Sequence, residues 1–197
     1  MAELLVDFIT SLDGFGAAEG WPGFWGMEVP EYTAWLAASP EREHTVLMGA
    51  TTYRLMEGFA SGALDTGMAE DDATAELTAA RKVVFSSTLE EATWANTRLV
   101  RTDAVTEVRA MKDAGPSMRT LGSLMLCRSL LTAGLVDRFR VVVFPVVTGA
   151  TGRDRIYDGW PDVALDLVES RTFDGKLQLL EYVPTVLAGP PTWPGGA

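Results

Sequence analysis

The sequence predicts an α/β fold: a mixed, mostly parallel sheet with helices on both faces and an antiparallel hairpin at the C-terminal end. Short apolar, β-branched runs alternate with segments of helical periodicity as far as Gly134, which calls for right-handed crossovers between parallel strands. Beyond Asp137 the pattern changes to long alternating runs around an Asp174-Gly175 pair, the signature of a hairpin.

Each element follows in order. Residues 4–10 are an apolar run broken only by Asp7, and Ser11-Leu12-Asp13-Gly14 turns the chain. Residues 16–30 read as a long loop rich in glycine and tryptophan, and residues 31–38 as a helix stopped by Ser39-Pro40. Residues 45–48 form a buried strand ended by Gly49, and residues 51–59 place Tyr53, Leu55 and Met56 at helical spacing. A helix over 74–80 and a strand over 82–85, ending in Ser86-Ser87, repeat that unit. The glutamate and aspartates of Glu70-Asp71-Asp72 complement the dipole of a helix start. A strand at 98–100, an amphipathic helix at 104–113 and a strand at 119–121 lead to Gly122. An apolar helix over 123–133 is then closed by Gly134. The strands 139–147, 163–172 and 176–183 complete one domain over 1–184, and 185–197 is a proline- and glycine-rich tail.

Composition narrows the function. Of 197 residues, 47% are hydrophobic and 22% charged, the balance of an ordinary globular protein. A net charge of −11 repels polyphosphate backbones and anionic membranes, so neither nucleic acid nor membrane is an expected partner. One cysteine, Cys127 in an apolar run, and one histidine, His44 at a strand edge, leave no ligand set for a structural metal. The N-terminus lacks a basic region, and no apolar stretch reaches the roughly 20 residues that span a bilayer, so a cytoplasmic protein is expected.

In open α/β sheets, ligands sit beyond the carboxyl ends of the strands, so Gly49, Ser86 and Gly122 are expected to meet at one crevice. The free amides of Ser123, Leu124 and Met125 at a helix start suit a pyrophosphate; a serine N-cap is the alternative. Gly49-Ala50-Thr51-Thr52 offers the same geometry with added hydroxyls, again open to a capping role. Ser86 and Ser87 offer hydroxyls for a ribose or its phosphate, although Ser87-Thr88-Leu89-Glu90 also reads as a capping box.

The order of these segments resembles the dihydrofolate reductase superfamily, including the reductase domain of riboflavin biosynthesis. The matching stretches are Ser11-Leu12-Asp13-Gly14, Leu47-Met48-Gly49-Ala50-Thr51-Thr52-Tyr53, Lys82-Val83-Val84-Phe85-Ser86-Ser87-Thr88-Leu89, Leu121-Gly122-Ser123 with the following Leu130-Leu131, and Val143-Phe144-Pro145-Val146-Val147-Thr148-Gly149. The resemblance implies the three-layer dihydrofolate-reductase-like fold and an NADPH-dependent reductase of a small pteridine- or pyrimidine-type heterocycle. It assigns cofactor contacts to Gly49, Thr51, Thr52, Ser86, Ser87, Gly122, Ser123, Leu124 and Met125, with the nicotinamide near Asp13 and Gly14. Ala50 stands where folate reductases carry arginine, which admits NADH, and Gly122-Ser123 stands for a double glycine.

The folate enzymes use a carboxylate on their first helix as the proton source, and Glu28 and Glu31 lie in the corresponding region. Asp7, a charge inside a buried strand, is the candidate catalytic residue; pairing with an arginine of a neighbouring strand is the alternative. Trp25, Tyr53 and Phe144 are candidate substrate contacts, and Trp21, Phe24 and Trp25 suit an aromatic lid, with core packing as the alternative. A non-catalytic dimeric nucleotide-binding or regulatory protein on the same fold is the second functional expectation. A homodimer is expected because 139–147 and 177–180 are more apolar than an exposed strand edge.

Overall fold

The computed structural model describes residues 2–20, 24–62 and 72–191. The elements are β1 (Leu4–Ser11), β2 (Phe15–Ala18), α1 (Pro30–Ala38), β3 (Thr45–Gly49), α2 (Ala50–Ala60), α3 (Asp72–Ala79), β4 (Lys82–Phe85) and β5 (Thr97–Val100). They continue with α4 (Ala104–Ala114), β6 (Met118–Thr120), α5 (Leu124–Thr132), β7 (Arg138–Phe144), β8 (Gly152–Arg155), β9 (Val163–Phe173) and β10 (Leu177–Val186). Trp21, Glu70, Asp71 and the end of the tail lie outside the described residues.

Because β1 is apolar on both sides, it belongs in the middle of a sheet, and it pairs in parallel with β6 and β7. The eight-stranded order is β5-β4-β3-β6-β1-β7-β10-β9, parallel from β5 to β7 and antiparallel through β10 and β9. Alternation sorts the side chains between two faces. Leu4, Val6, Phe8 and Leu47 meet α4 and α5, whereas Val46 and Met48 meet α2 and Ile9 lies on the α1 side. Helix α5 buries Leu126, Cys127, Leu130 and Leu131 along one stripe. Truncating Leu130 to alanine there would cost about 2–5 kcal/mol.

Tertiary contacts decide several boundaries. The glycine-rich loop contains a strand, β2, because β8 supplies its antiparallel partner, Phe15 opposite Arg155 and Ala18 opposite Gly152. No helix follows Ser87: the Ser86 hydroxyl accepts the amide hydrogens of Thr88 (3.2 Å) and Leu89 (3.0 Å) in a local turn, so the expected capping box has no helix to cap. Helix α1 has no local side-chain cap; Asp174, in the β9–β10 turn, accepts from Glu31 N–H at 3.0 Å and Tyr32 N–H at 3.3 Å. Strand β10 runs to Val186, past the expected boundary at 184, because beyond Tyr182 it keeps only β9 as partner and tolerates Pro184. The apolar runs at 139–144 and 177–180 are explained by interior positions, since β7 and β10 each have two neighbours, whereas Val147 lies beyond β7 and is exposed; the edges of the sheet are β9 and β5.

Candidate active site

Parallel register brings the carboxyl ends of β1, β3, β4, β6 and β7 to one pole. Ser11 lies opposite Phe144, Gly49 opposite Phe85, and Leu47 opposite Thr120. Gly49, Ser86 and Gly122 therefore stand at the ends of three adjacent strands.

The two helix starts touch. Gly49 N–H donates to Ser123 Oγ at 2.8 Å, Ser123 Oγ donates to Thr52 Oγ1 at 2.9 Å, and Leu121 O lies 3.1 Å from the same hydroxyl. Gly122 takes φ +53°, and a Cβ on it would come 3.2 Å from Thr52 Oγ1, so glycine suits both the backbone and the space. Ser123 is the N-cap residue of α5 but caps nothing, because φ +65° turns its side chain toward α2. The first intrahelical bond of α5 runs from Cys127 N–H to Ser123 O at 3.0 Å, so the preceding amides have no partner in the helix and no side-chain cap. Helix α2 likewise starts without a side-chain cap. Ser87 and Thr51 are exposed at the same pole, whereas the Ser86 hydroxyl is occupied by its own turn.

The turn after β1 is fastened from within. Asp13 accepts from Ser11 Oγ at 2.6 Å and from the amides of Thr148 at 3.2 Å and Gly149 at 2.8 Å. The Ser11 hydroxyl and those amides hold its carboxyl down at about 2, so Asp13 is a fixed anion tying two loops together and not a proton donor. Gly14, at φ +85°, lies against the Tyr157 ring.

Of the expected aromatic contacts, Phe144 and Tyr53 are core residues. Phe144 is 0% exposed with the Trp25 ring 5.3 Å away, and the Tyr53 hydroxyl accepts Trp94 N–H at 2.9 Å. Trp25 is partly buried against that same cluster. The most exposed apolar side chains of this pole among the described residues are instead Leu12 (67%), Met125 (66%) and Val147 (66%). Leu12 and Val147 sit on neighbouring turns, since Leu12 N–H donates to Val146 O at 2.8 Å. Leu12 had a signal in the sequence, a large apolar residue inside the polar turn Ser11-Leu12-Asp13-Gly14.

Asp7 lies well before the end of β1 and pairs with Arg140 of β7 at 3.6 Å, the structural alternative to its catalytic role. Burial outweighs that arginine and raises its carboxyl above the ordinary range. The Arg140 guanidinium, 4% exposed as a residue, also meets Glu41 and Glu181 at 2.8 Å each and covers the Trp35 ring at 4.9 Å. Glu31 is bound to Asp174 N–H, and Glu28 is exposed on the surface. Among the described residues no group of His, Cys, Asp or Glu could hold a metal ion, and no helix is long and apolar enough to cross a membrane.

Comparison with known proteins agrees with this geometry. The profile of the RibD C-terminal domain family matches residues 2–179. A putative riboflavin biosynthesis protein from Shewanella sp. PV-4 superposes with a TM-score of 0.73 at 19% identity, over 94% of this chain and 99% of that one. A pyrimidine reductase-like protein from Corynebacterium diphtheriae gives 0.62 at 16% identity, over 93% and 92%. A deaminase and 5-amino-6-(5-phosphoribosylamino)uracil reductase from Thermotoga maritima gives 0.61 at 15% identity, where 93% of this chain covers 57% of that one. The sheet and its helices thus form the dihydrofolate-reductase-like fold shared with these structures. No curated protein sequence matches the chain.

Proposed function

The chain belongs to the RibD C-terminal domain family, and from that premise we propose that it is a reductase that binds NADPH and acts on a small pyrimidine- or pteridine-type heterocycle. The observation that carries this reading is the junction of two uncapped helix starts, α2 and α5, at the carboxyl pole of the sheet. Free amides and the positive ends of two helix dipoles suit the pyrophosphate of a dinucleotide. A bound reduced nicotinamide supplies the hydride for an electrophilic ring carbon. The amides of Leu124 and Met125 and the hydroxyls of Thr51 and Thr52 hold phosphate, while Ser87 reaches toward the adenosine end. Gly14 and its turn bound the nicotinamide end, with Asp13 acting through the loops it ties. Leu12, Met125 and Val147 give flat rings an apolar surface that excludes water.

Ala50 offers no cation for a 2′-phosphate, so NADH is included as a cofactor. Residence in the cytoplasm and a homodimer belong to the same proposal. The dimer rests on β9, an edge strand that exposes Leu165, Leu167 and Val168. Sedimentation at micromolar concentration is expected to give twice the chain mass, and a monomer mass refutes the dimer.

Titration of tryptophan fluorescence with NADPH and NADH tests the reading, with micromolar binding of at least one expected. If neither quenches the fluorescence nor raises the melting temperature, the dinucleotide reading is lost. A non-catalytic dimeric nucleotide-binding or regulatory protein on the same fold is the second reading. Oxidation of NADPH stimulated by any pyrimidine or pteridine substrate excludes that alternative.

A further inference from the structure

A second cleft opens at the amino pole, beside the first residues of β4 and β5. It has a volume of about 620 Å³, and Val83, Trp94, Met111 and Pro116 form its apolar walls. Strand β4 sets it apart from the helix starts, because Lys82 stands at one end of that strand and Phe85, opposite Gly49, at the other. The indole wall is fixed: Trp94 is buried, its backbone N–H donates to the Tyr53 hydroxyl at 2.9 Å, and its ring N–H donates to Thr78 Oγ1 at 3.1 Å.

The charge of this cleft is opposite to that of the chain. The net charge is −11, yet among the described residues Arg81, Lys82 and Arg98 line the cleft and no carboxylate does. Lys82 is 1% exposed; its Nζ donates to the carbonyls of Leu77, Thr78 and Ala80 and lies 4.5 Å from the centre of the Trp94 ring. Burial holds that ammonium down at about 8, with no carboxylate to oppose the shift. Arg98 is bound to Glu107 at 2.7 Å and reaches Met111 Sδ at 3.4 Å. Arg81 is exposed, and its guanidinium has no ion pair or hydrogen bond among the described residues.

We infer that this cleft is a second binding site, which takes a small aromatic carboxylate with Arg81 as the ionic contact and Trp94 and Met111 as the walls of the ring. A guanidinium offers a carboxylate two parallel hydrogen bonds, and the apolar walls take the ring. Lys82 adds a favourable field from beneath the surface without touching the ligand. The volume lies inside the range of about 300–1,000 Å³ that holds small molecules. The site is independent of the dinucleotide reading, which concerns the other pole.

Titration with indole-3-acetate followed by proton–nitrogen NMR tests it, with indole-3-acetamide as the uncharged counterpart. Saturable shifts are expected at the Trp94 ring N–H and at the amides of Asn96 and Arg98, with a Kd of about 1 mM or tighter, the affinity ordinary for so small a ligand. The amide should bind about tenfold more weakly, and R81A should lose about the same factor, as the loss of a hydrogen bond to a charged group does. R81E should bind more weakly still, because its carboxylate repels the ligand. R81A should melt and bind NADPH as the wild type does. No saturable shift at millimolar acid, equal affinity for acid and amide, unchanged affinity in R81A, or shifts confined to Leu12, Met125 and Val147 would each overturn the site.

Discussion

The two poles of the sheet hold their polar groups differently. At the amino pole, buried charge is paired: Arg140 serves Asp7, Glu41 and Glu181 at once, and Lys82 gives its hydrogens to the carbonyls of Leu77, Thr78 and Ala80 at the end of α3, although Glu41 Oε2, His44 Nδ1 and Arg119 Nε have no hydrogen-bond partner among the described residues. At the carboxyl pole, two helices begin with no side-chain cap and large apolar residues face solvent. A group whose bonding capacity is filled by the protein holds the fold together, and a group left open is available to a ligand.

The largest expected effect breaks the amino pole. Arg140→Ala strands Asp7 and Glu41 without their paired cation, leaves Glu181 only Arg138, and should cost about 3–5 kcal/mol in urea unfolding. The folded fraction should still bind NADPH as the wild type does; lost affinity at full stability would place Arg140 in the ligand site and erase the contrast between the poles.

Next comes the junction itself. Gly122→Val forces a β-branched residue to φ +53° against Thr52. A loss of about 1–3 kcal/mol of stability is expected, together with a drop in NADPH affinity of about tenfold or more. Full affinity in a folded Gly122→Val protein would separate the helix starts from the ligand.

Asp7→Asn sharpens the comparison by its small effect. Burial disfavours the Asp7 anion, so its contribution is most favourable below the ordinary value of 3.8 and declines as pH rises beyond it. Asparagine removes that decline, and stability at neutral pH should change by no more than about 1 kcal/mol. Turnover that collapses in Asp7→Asn without loss of NADPH affinity would return Asp7 to the chemistry.

Asp13 has the opposite sign. Its folded value of about 2 lies below the ordinary 3.8, so its contribution is complete above 3.8 and disappears as pH falls toward 2. Acid titration of the melting temperature should show this loss in the wild type and a shallower one in Asp13→Asn. The smallest effect belongs to Leu12→Ala, expected to shift stability by less than about 0.5 kcal/mol while weakening binding of the heterocycle or nicotinamide; unaltered binding would remove Leu12 from the ring site.

Much of this was legible in the chain because it depends on neighbours in sequence. Alternation in 163–172 and 176–183 predicted β9 and β10, and Asp174-Gly175 predicted their turn, where both residues take positive φ, 52° and 64°. Gly122, at φ +53°, marked the end of β6 for the same local reason. The site's interior was less legible. Tyr53 and Phe144 carry the residue types of a ring-binding pocket, but only the partners above them, Trp94 and Phe24, show that both are core.

The amino-acid sequence by itself determined the helices and the strands of the main sheet, though not β2 or β8, since backbone preference and side-chain periodicity act over a few residues. Tertiary structure alone decided that β9 and β5 are the edges of the main sheet, that β2 pairs with β8, that Asp174 caps α1 from across the chain, and that Ser123 links α2 to α5. Each of these is a contact between residues far apart along the backbone, and only the packed sheet fixes the distance between such partners.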